Sequence, residues 1–367
     1  MEYRYMLFRK NGASCFAFIS SLCLANITMA ETLPALPETD GAVDIPAQKS
    51  PYYGERTIKV YVYYPGKSIK NINEKTGLFL SLHNWGGTNS RGTPDPLVLS
   101  SRYNTVAICV DYLQSGVSMP SKDGHPYDFG YLQALDALRA LYYVYNGLSE
   151  KGIAFDKSRL YCTGGSGGGN VTLMSNKFAP RTFACIMDLS GMASLSDDIA
   201  FNLPGGSKLN ACYSNDPSNK NYLGKDDQEL RDTGNKAHLA EMKKLGNRSK
   251  IVISHGVDDS SCLASDKKRV FENMLAAGLD AEAHFITKEN VDGTLIKDSA
   301  HAVGNRTDLL IHFADKYFSP SSAEMKRNTG KCDFELRDEK VKYKTANGSF
   351  VISYAKGFPE GKFISDK

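Results

Sequence analysis

Residues 159–170 read RLYCTGGSGGGN. A β-favouring run, Leu160-Tyr161-Cys162, enters a cluster of glycines around a single serine, and a helical pattern follows. Within it Gly164-Gly165-Ser166-Gly167-Gly168 fits G-x-S-x-G, a sharp strand-to-helix turn that lifts the serine Oγ above a sheet. Glycines suit such a turn because the serine backbone is strained and its neighbours must lack Cβ atoms for strand and helix to approach. The bland alternative is a Gly-rich turn with an incidental serine. The strand–turn–helix setting favours Ser166 as a nucleophile.

The flanks repeat the same rhythm. Strand-like runs lie at residues 57–64 (TIKVYVYY), 78–82 (LFLSL) and 105–110 (TVAICV) before the turn. After it come 183–189 (FACIMDL), 250–254 (KIVIS) and 281–286 (AEAHFI). Between them Leu132, Leu135, Leu138, Leu141 and Tyr142 keep helical spacing, and helices are expected at 171–178, 266–277 and 307–317. Short apolar strands alternating with helices predict an α/β fold, a mostly parallel sheet with helices on both faces. Residues 196–247 break the rhythm: they are polar, rich in Asn, Asp and Gly, and carry one expected helix at 235–245. They read as an insertion after the sixth strand, over the C-terminal edge of the sheet, where loops build binding sites.

Outside the expected 51–320 domain, residues 31–50 are Pro-rich and acidic and read as a flexible leader. Residues 342–354 (KYKTANGSFVISY) predict a hairpin about Asn347-Gly348, so 321–367 is expected to be a small β-hairpin appendage. Residues 1–30 have the layout of a secretory signal: Arg4, Arg9 and Lys10, then an apolar run, then Thr28-Met29-Ala30. An uncleaved anchor would need about twenty apolar residues, more than this run supplies. Cleavage near Ala30 predicts a secreted or periplasmic protein with no integral membrane span.

The 367-residue chain is 41% hydrophobic and 23% charged, an ordinary globular composition. Its net charge is +3, and about +1 once the signal is removed, with no basic stripe, so nucleic acid is not an expected partner. Cys109, Cys162 and Cys185 sit in apolar runs as small buried hydrophobes. Cys212 and Cys262 lie in loop-like sequence, where export would permit a disulfide. No C-x-x-C pair or His/Cys cluster has zinc spacing, so neither metal nor cofactor is expected.

A serine hydroxyl needs a base to take its proton and a carboxylate to orient that base. In the elbow layout the chain order is Ser, acid, His. His255-Gly256-Val257-Asp258-Asp259 follows the strand at 250–254, and Ser299-Ala300-His301 lies in the loop after the next strand. Asp259 is preferred over Asp258 from the H-G-x-x-D pattern, with Asp188 a third option. His301 is preferred over His312, which falls within the closing helix, over His284, inside a strand, and over His255, a packed turn residue. The oxyanion needs donors too. One is the backbone N–H of Gly167; the other comes from His83-Asn84-Trp85-Gly86-Gly87, with Trp85 first and Gly86 second.

From about residue 57 to 317 the chain resembles the α/β-hydrolase superfamily. It is most similar to dienelactone-hydrolase-like proteins, acyl esterases and the catalytic domain of prolyl oligopeptidases. The matching pieces are HNWGG, GGSGGGN, HGVDD and SAH, in the family's order. Carried across, the resemblance implies the α/β-hydrolase fold, Ser166 as nucleophile, Asp259 as acid, His301 as base, and Gly167 and Trp85 as oxyanion donors. The departure is Asn84, where the family more often has glycine. An exported serine hydrolase acting on a carboxylic ester is the leading expectation, with a small acyl group on a polar carrier such as a glycan. A prolyl-oligopeptidase-type peptidase and a non-catalytic binding protein on a hydrolase scaffold are the alternatives.

Overall fold

The computed structural model describes residues 33–50, 52–117, 124–204 and 206–366. The expected signal segment lies outside these residues. The chain forms an eight-stranded sheet from β1 (Gly41–Pro46), β2 (Thr57–Tyr63), β3 (Gly77–Leu82), β4 (Thr105–Asp111), β5 (Leu160–Gly165), β6 (Cys185–Leu189), β7 (Lys250–Gly256) and β8 (Ala281–Ile286). Their spatial order is β1-β2-β4-β3-β5-β6-β7-β8. The first two strands run antiparallel to their neighbours, and every pairing from β4 onward is parallel.

The connecting helices are α1 (Pro96–Tyr103), α2 (Tyr131–Glu150), α3 (Gly167–Phe178), α4 (Asp197–Phe201), α5 (Lys225–Arg231), α6 (Lys236–Lys244), α7 (Ala264–Ala276) and α8 (Arg306–Phe318). Strand alternation divides the core between the two sheet faces. Leu78, Leu80 and Leu82 of β3 pack with α2 and α3, whereas Phe79 packs with Tyr103 of α1 and Phe318 of α8. This is the α/β-hydrolase fold. No helix among the described residues is long and apolar enough to cross a membrane.

Three expectations are corrected. The described part of the leader carries regular structure: β1 pairs residue by residue with β2, from Gly41 opposite Val62 to Pro46 opposite Thr57. Leu36 is buried against α2, where the Leu36 side chain fills the space above Gly147. β1 is an edge strand and ends in Pro46, and an edge tolerates proline.

The C-terminal segment forms the expected hairpin about Asn347-Gly348 but adds a third strand to it. β9 (Lys340–Lys344), β10 (Gly348–Ser353) and β11 (Glu360–Ser365) form a three-stranded antiparallel sheet, and Val341, Tyr343, Phe350, Ile352 and Tyr354 join the main core. The Tyr343 hydroxyl donates to the Lys177 carbonyl, and that of Tyr354 donates to the Phe178 carbonyl at 3.0 Å. Both carbonyls are in the last turn of α3, which has no intrahelical donors for them.

The insertion holds three helices, not one. Only α6 is long enough to show a period; α4 and α5 are 5 and 7 residues. Ile199, Ala211 and Leu223 pack onto Tyr127, with Trp85 and Tyr213 at the margin of the same cluster.

Candidate active site

β5 delivers the chain to Ser166 at φ 55° and ψ −117°, and α3 begins at the next residue. A positive φ is uncommon for a residue with a side chain, and strain of this kind persists only where the surroundings over-determine it. Here the Ser166 N–H donates to the Leu189 carbonyl at 2.9 Å, and the Ser166 carbonyl accepts from Asn170 N–H at 3.1 Å. The glycines leave no slack. A Cβ on Gly164 would stand 2.3 Å from the Gly168 carbonyl oxygen, and one on Gly168 would stand 2.0 Å from that of Leu82.

The loops after β7 and β8 meet over this turn. His301 Nε2 lies 2.9 Å from Ser166 Oγ, and its Nδ1 lies 2.7 Å from Asp259 Oδ2. Because the carboxylate only accepts, Nδ1 carries the proton, and Nε2 is left to accept from the serine hydroxyl. The Asp259 side chain is fully buried, while that of His301 is 31% exposed, open to a substrate. Burial alone would raise the Asp259 pKa. The His301 hydrogen bond and charge, with the N–H groups of Cys262 and Ser261 at 2.9 and 2.8 Å, overcome it and hold the carboxyl below its usual value.

Asp258 and His255, the other two chemical groups of that motif, hold the loops. The Ser299 hydroxyl donates to Asp258 Oδ2 at 2.6 Å, and Asp258 N–H donates to the Ser299 carbonyl at 2.8 Å, two residues before His301. His255 donates its Nε2–H to the Cys262 carbonyl at 2.7 Å, closing the turn that presents Asp259. Burial pushes the His255 pKa down to about 4, and the nearby Lys267 charge adds to it, so the ring is neutral.

The remaining candidates are occupied elsewhere. Asp188 forms a fully buried ion pair with Lys267 at 2.5 Å and accepts from Gly191 N–H. His284 and His312 both pack on the Phe313 ring. Cys212 and Cys262 are free thiols, as are the other four described cysteines. Among the described residues, one group of three metal-ligand types has donor atoms within 4.8 Å: Asp259, Cys262 and His301. The carboxylate and imidazole already bond to each other, and burial raises the Cys262 thiol pKa, keeping it protonated.

The expected oxyanion donors are also brought together. The Cβ position of Gly167 lies 2.8 Å from the backbone nitrogen of Trp85, so the two main chains are in contact. Neither N–H has a hydrogen-bond acceptor among the described residues. His83 fixes the turn from below by donating Nδ1–H to the Asn84 carbonyl at 2.7 Å and stacking on Tyr112 at 4.0 Å. Sequence reasoning missed Tyr127. Its ring stacks on Trp85 with centroids 3.6 Å apart and planes within 6°, and its hydroxyl is 3.2 Å from the Gly167 Cβ position. Among the described residues that hydroxyl and the Trp85 indole N–H are both buried with no close hydrogen bond, the Gln133 amide being the hydroxyl's polar neighbour. Burial pushes the Tyr127 phenol up, which keeps it a donor. Nothing in its loop sequence signals this placement.

The segment 100–355, which contains Ser166, Asp259 and His301, matches a family described as "Protein of unknown function (DUF2920)". The chain belongs to that family. No curated protein matches it. Among solved structures it is similar to the acylaminoacyl peptidase of Pyrococcus horikoshii, at 11% identity and a TM-score of 0.51, over 77% of this chain and 42% of that one. It is similar to a puromycin hydrolase complexed with PGG at 15% identity and a TM-score of 0.51, over 80% and 42%. Esterase 2 of Thermogutta terrifontis, phosphoramylated by tabun, aligns at 15% identity and a TM-score of 0.47, over 77% and 95%. The chain therefore spans less than half the length of the first two. At these identities the likeness is one of fold.

Proposed function

We propose that this chain is an exported serine hydrolase that cleaves a carboxylic ester through a Ser166–His301–Asp259 acyl-enzyme mechanism. One observation carries the reading: an unbroken hydrogen-bond chain from Ser166 Oγ through His301 to Asp259, at 2.9 and 2.7 Å, on a serine held at φ 55°. In this mechanism Ser166 Oγ attacks the carbonyl carbon as His301 Nε2 takes its proton. Asp259 holds the imidazole in the required tautomer and faces the imidazolium charge that develops. The carbonyl oxygen gains negative charge opposite the N–H groups of Gly167 and Trp85, with the Tyr127 hydroxyl beside them. His301 then returns the proton to the leaving alkoxide, and the same groups run the sequence again with water to release the acid.

The proposed acyl group is small and its carrier polar. The insertion turns Ile199, Ala211 and Leu223 inward onto Tyr127, while a lid for long chains would keep an apolar face for the substrate. Export rests on the signal-like sequence of residues 1–30. A peptidase reading has one specific support, the names of the two fold neighbours, acylaminoacyl peptidase and puromycin hydrolase.

The test is fluorophosphonate labelling of the protein and of Ser166→Ala, followed by turnover of p-nitrophenyl esters from acetyl to octanoyl and of aminoacyl p-nitroanilides. Labelling and short-chain ester turnover lost together in the variant support the proposal. Anilide turnover exceeding ester turnover would favour the peptidase. A folded wild-type protein that takes no label would leave a binding protein as the better reading.

A further inference from the structure

A cavity of about 480 Å³ lies among residues 48–50, 52 and 53, the start of α2, the insertion and the C-terminal sheet. Ser166, Asp259 and His301 are not among its lining residues. Its volume is in the range of small-molecule sites, about 300–1,000 Å³. Six aromatic side chains line it: Tyr52, Tyr53, Tyr131, Tyr213, Phe350 and Phe363. Five of the six fall into two groups of touching rings. Tyr52 and Tyr53 pack on His125 at 5.5 and 4.8 Å, and Phe350 packs on Tyr131 and Phe363 at 5.5 and 5.1 Å. Tyr52 is 52% exposed and Phe363 42%, so both rings are accessible to a ligand.

The polar lining is balanced in charge. Three carboxylates, Asp128, Asp226 and Asp227, are matched by three cations, Lys49, Arg231 and Lys362. Arg231 joins two of the acids, at 3.1 Å from Asp227 and 3.6 Å from Asp128, and its guanidinium stands 5.5 Å from the Tyr131 ring centre. Lys49, Arg231 and Lys362 in the walls repel a cationic ligand that the rings alone would attract. An acyl chain would have no use for six ions, and an anion would meet as many carboxylates as cations. A neutral ligand with apolar faces and a rim of groups that both donate and accept fits all of these walls. That is the chemistry of a pyranose ring.

We propose that this cavity is a binding site for a neutral saccharide. The sugar's C–H faces stack on the aromatic rings, and its hydroxyls bond to the Asp227–Arg231 pair and to Lys362. The site does not depend on the hydrolase reading, although the two adjoin. Pro126 and Asp128 line the cavity, while Tyr127 between them stacks on Trp85 beside Ser166.

The experiment is isothermal titration of the purified full chain with maltotriose, cellotriose and chitotriose to millimolar concentration, with choline and a Gly-Phe dipeptide as comparison probes. At least one trisaccharide is expected to bind saturably. The exposed-ring variants Tyr52→Ala and Phe363→Ala should each weaken that binding by about tenfold with thermal midpoints unchanged. Ser166→Ala should bind as the parent does, which separates this proposal from the catalytic one. No heat with any trisaccharide, preferential binding of choline or the dipeptide, binding lost in Ser166→Ala, or binding indifferent to both ring variants would each overturn it.

Discussion

Asp258 and Asp259 are adjacent in sequence and differ in what they hold. Asp259 is buried and meets the imidazole of His301; Asp258 grips Ser299 on the loop that carries that histidine. Asp259→Asn is expected to lower ester kcat by about 10⁴-fold, because an amide can stabilise the wrong imidazole tautomer. Asp258→Asn weakens only the loop anchor and should cost about ten- to a hundredfold. Steady-state kinetics with p-nitrophenyl acetate checks both, and equal losses would contradict the division of labour. Tyr127→Phe keeps the stack on Trp85 and removes only the buried hydroxyl. If that hydroxyl meets the oxyanion, kcat should fall by about a hundredfold with KM little changed. An unchanged kcat would leave Tyr127 as packing alone.

At the scale of elements, the helix behind Ser166 is clamped at both ends. Its first turn is pressed against β3, and its last carbonyls are capped by Tyr343 and Tyr354 from the C-terminal sheet. In that same last turn, buried Lys177 donates to the Leu230 and Asp232 carbonyls at 2.6 and 3.1 Å, tying α3 to the insertion. Burial lowers that lysine's pKa to about 7, with Asp232 opposing. The N-terminal clamp is the less forgiving, because both contacting groups are backbone. In Gly168→Ala the new Cβ would lie 2.0 Å from the Leu82 carbonyl oxygen and 2.5 Å from that of His83. Neither can swing aside as a side chain would, so a loss of about 3 kcal/mol or more is expected in denaturant unfolding. The same shift would move the turn carrying Trp85. A variant as stable as the parent would show that the elbow has room it does not display.

For the whole molecule, buried histidines set part of the response to acid. Burial lowers the pKa values of His83 and His255 to about 4, and that of His238 to about 3, with Lys177 contributing at His238. A group whose folded pKa lies below its unfolded value of about 6.5 binds its proton first in the unfolded chain. Its stabilising contribution is whole above pH 6.5 and is lost as the pH falls from there towards the folded value. Each such histidine steepens the stability slope by up to about 1.4 kcal/mol per pH unit in that window. His238→Gln should reduce the slope between pH 5 and 6 by about one proton, since glutamine can still donate to the Lys344 carbonyl that His238 Nε2 reaches at 2.8 Å. Urea unfolding at several pH values measures it, and an unaltered slope would contradict a neutral buried ring. The same sign holds for Asp259, whose depressed pKa makes its contribution present at neutral pH and lost only in stronger acid.

By itself the sequence determined the parts whose signals are local. Apolar runs of strand length alternate with helical spacing, and both reflect backbone geometry acting over a few residues. The glycines of 164–169 encode the elbow because a Cβ there has nowhere to go. Ser166, Asp259, His301, Trp85 and Gly167 could be named because each sits at a strand end or turn with its own pattern. What only the tertiary structure decided depends on contacts between distant residues. β1 is a strand because β2 offers it an edge, and the C-terminal strands belong to the core because Tyr343 and Tyr354 reach carbonyls of α3, more than 160 residues away. Asp258 and Tyr127 acquire their placements from Ser299 and from Trp85, partners that no spacing rule connects to them. The aromatic cavity is the furthest case. Its walls come from both ends of the chain, and only packing could bring Tyr52 and Phe363 to one opening.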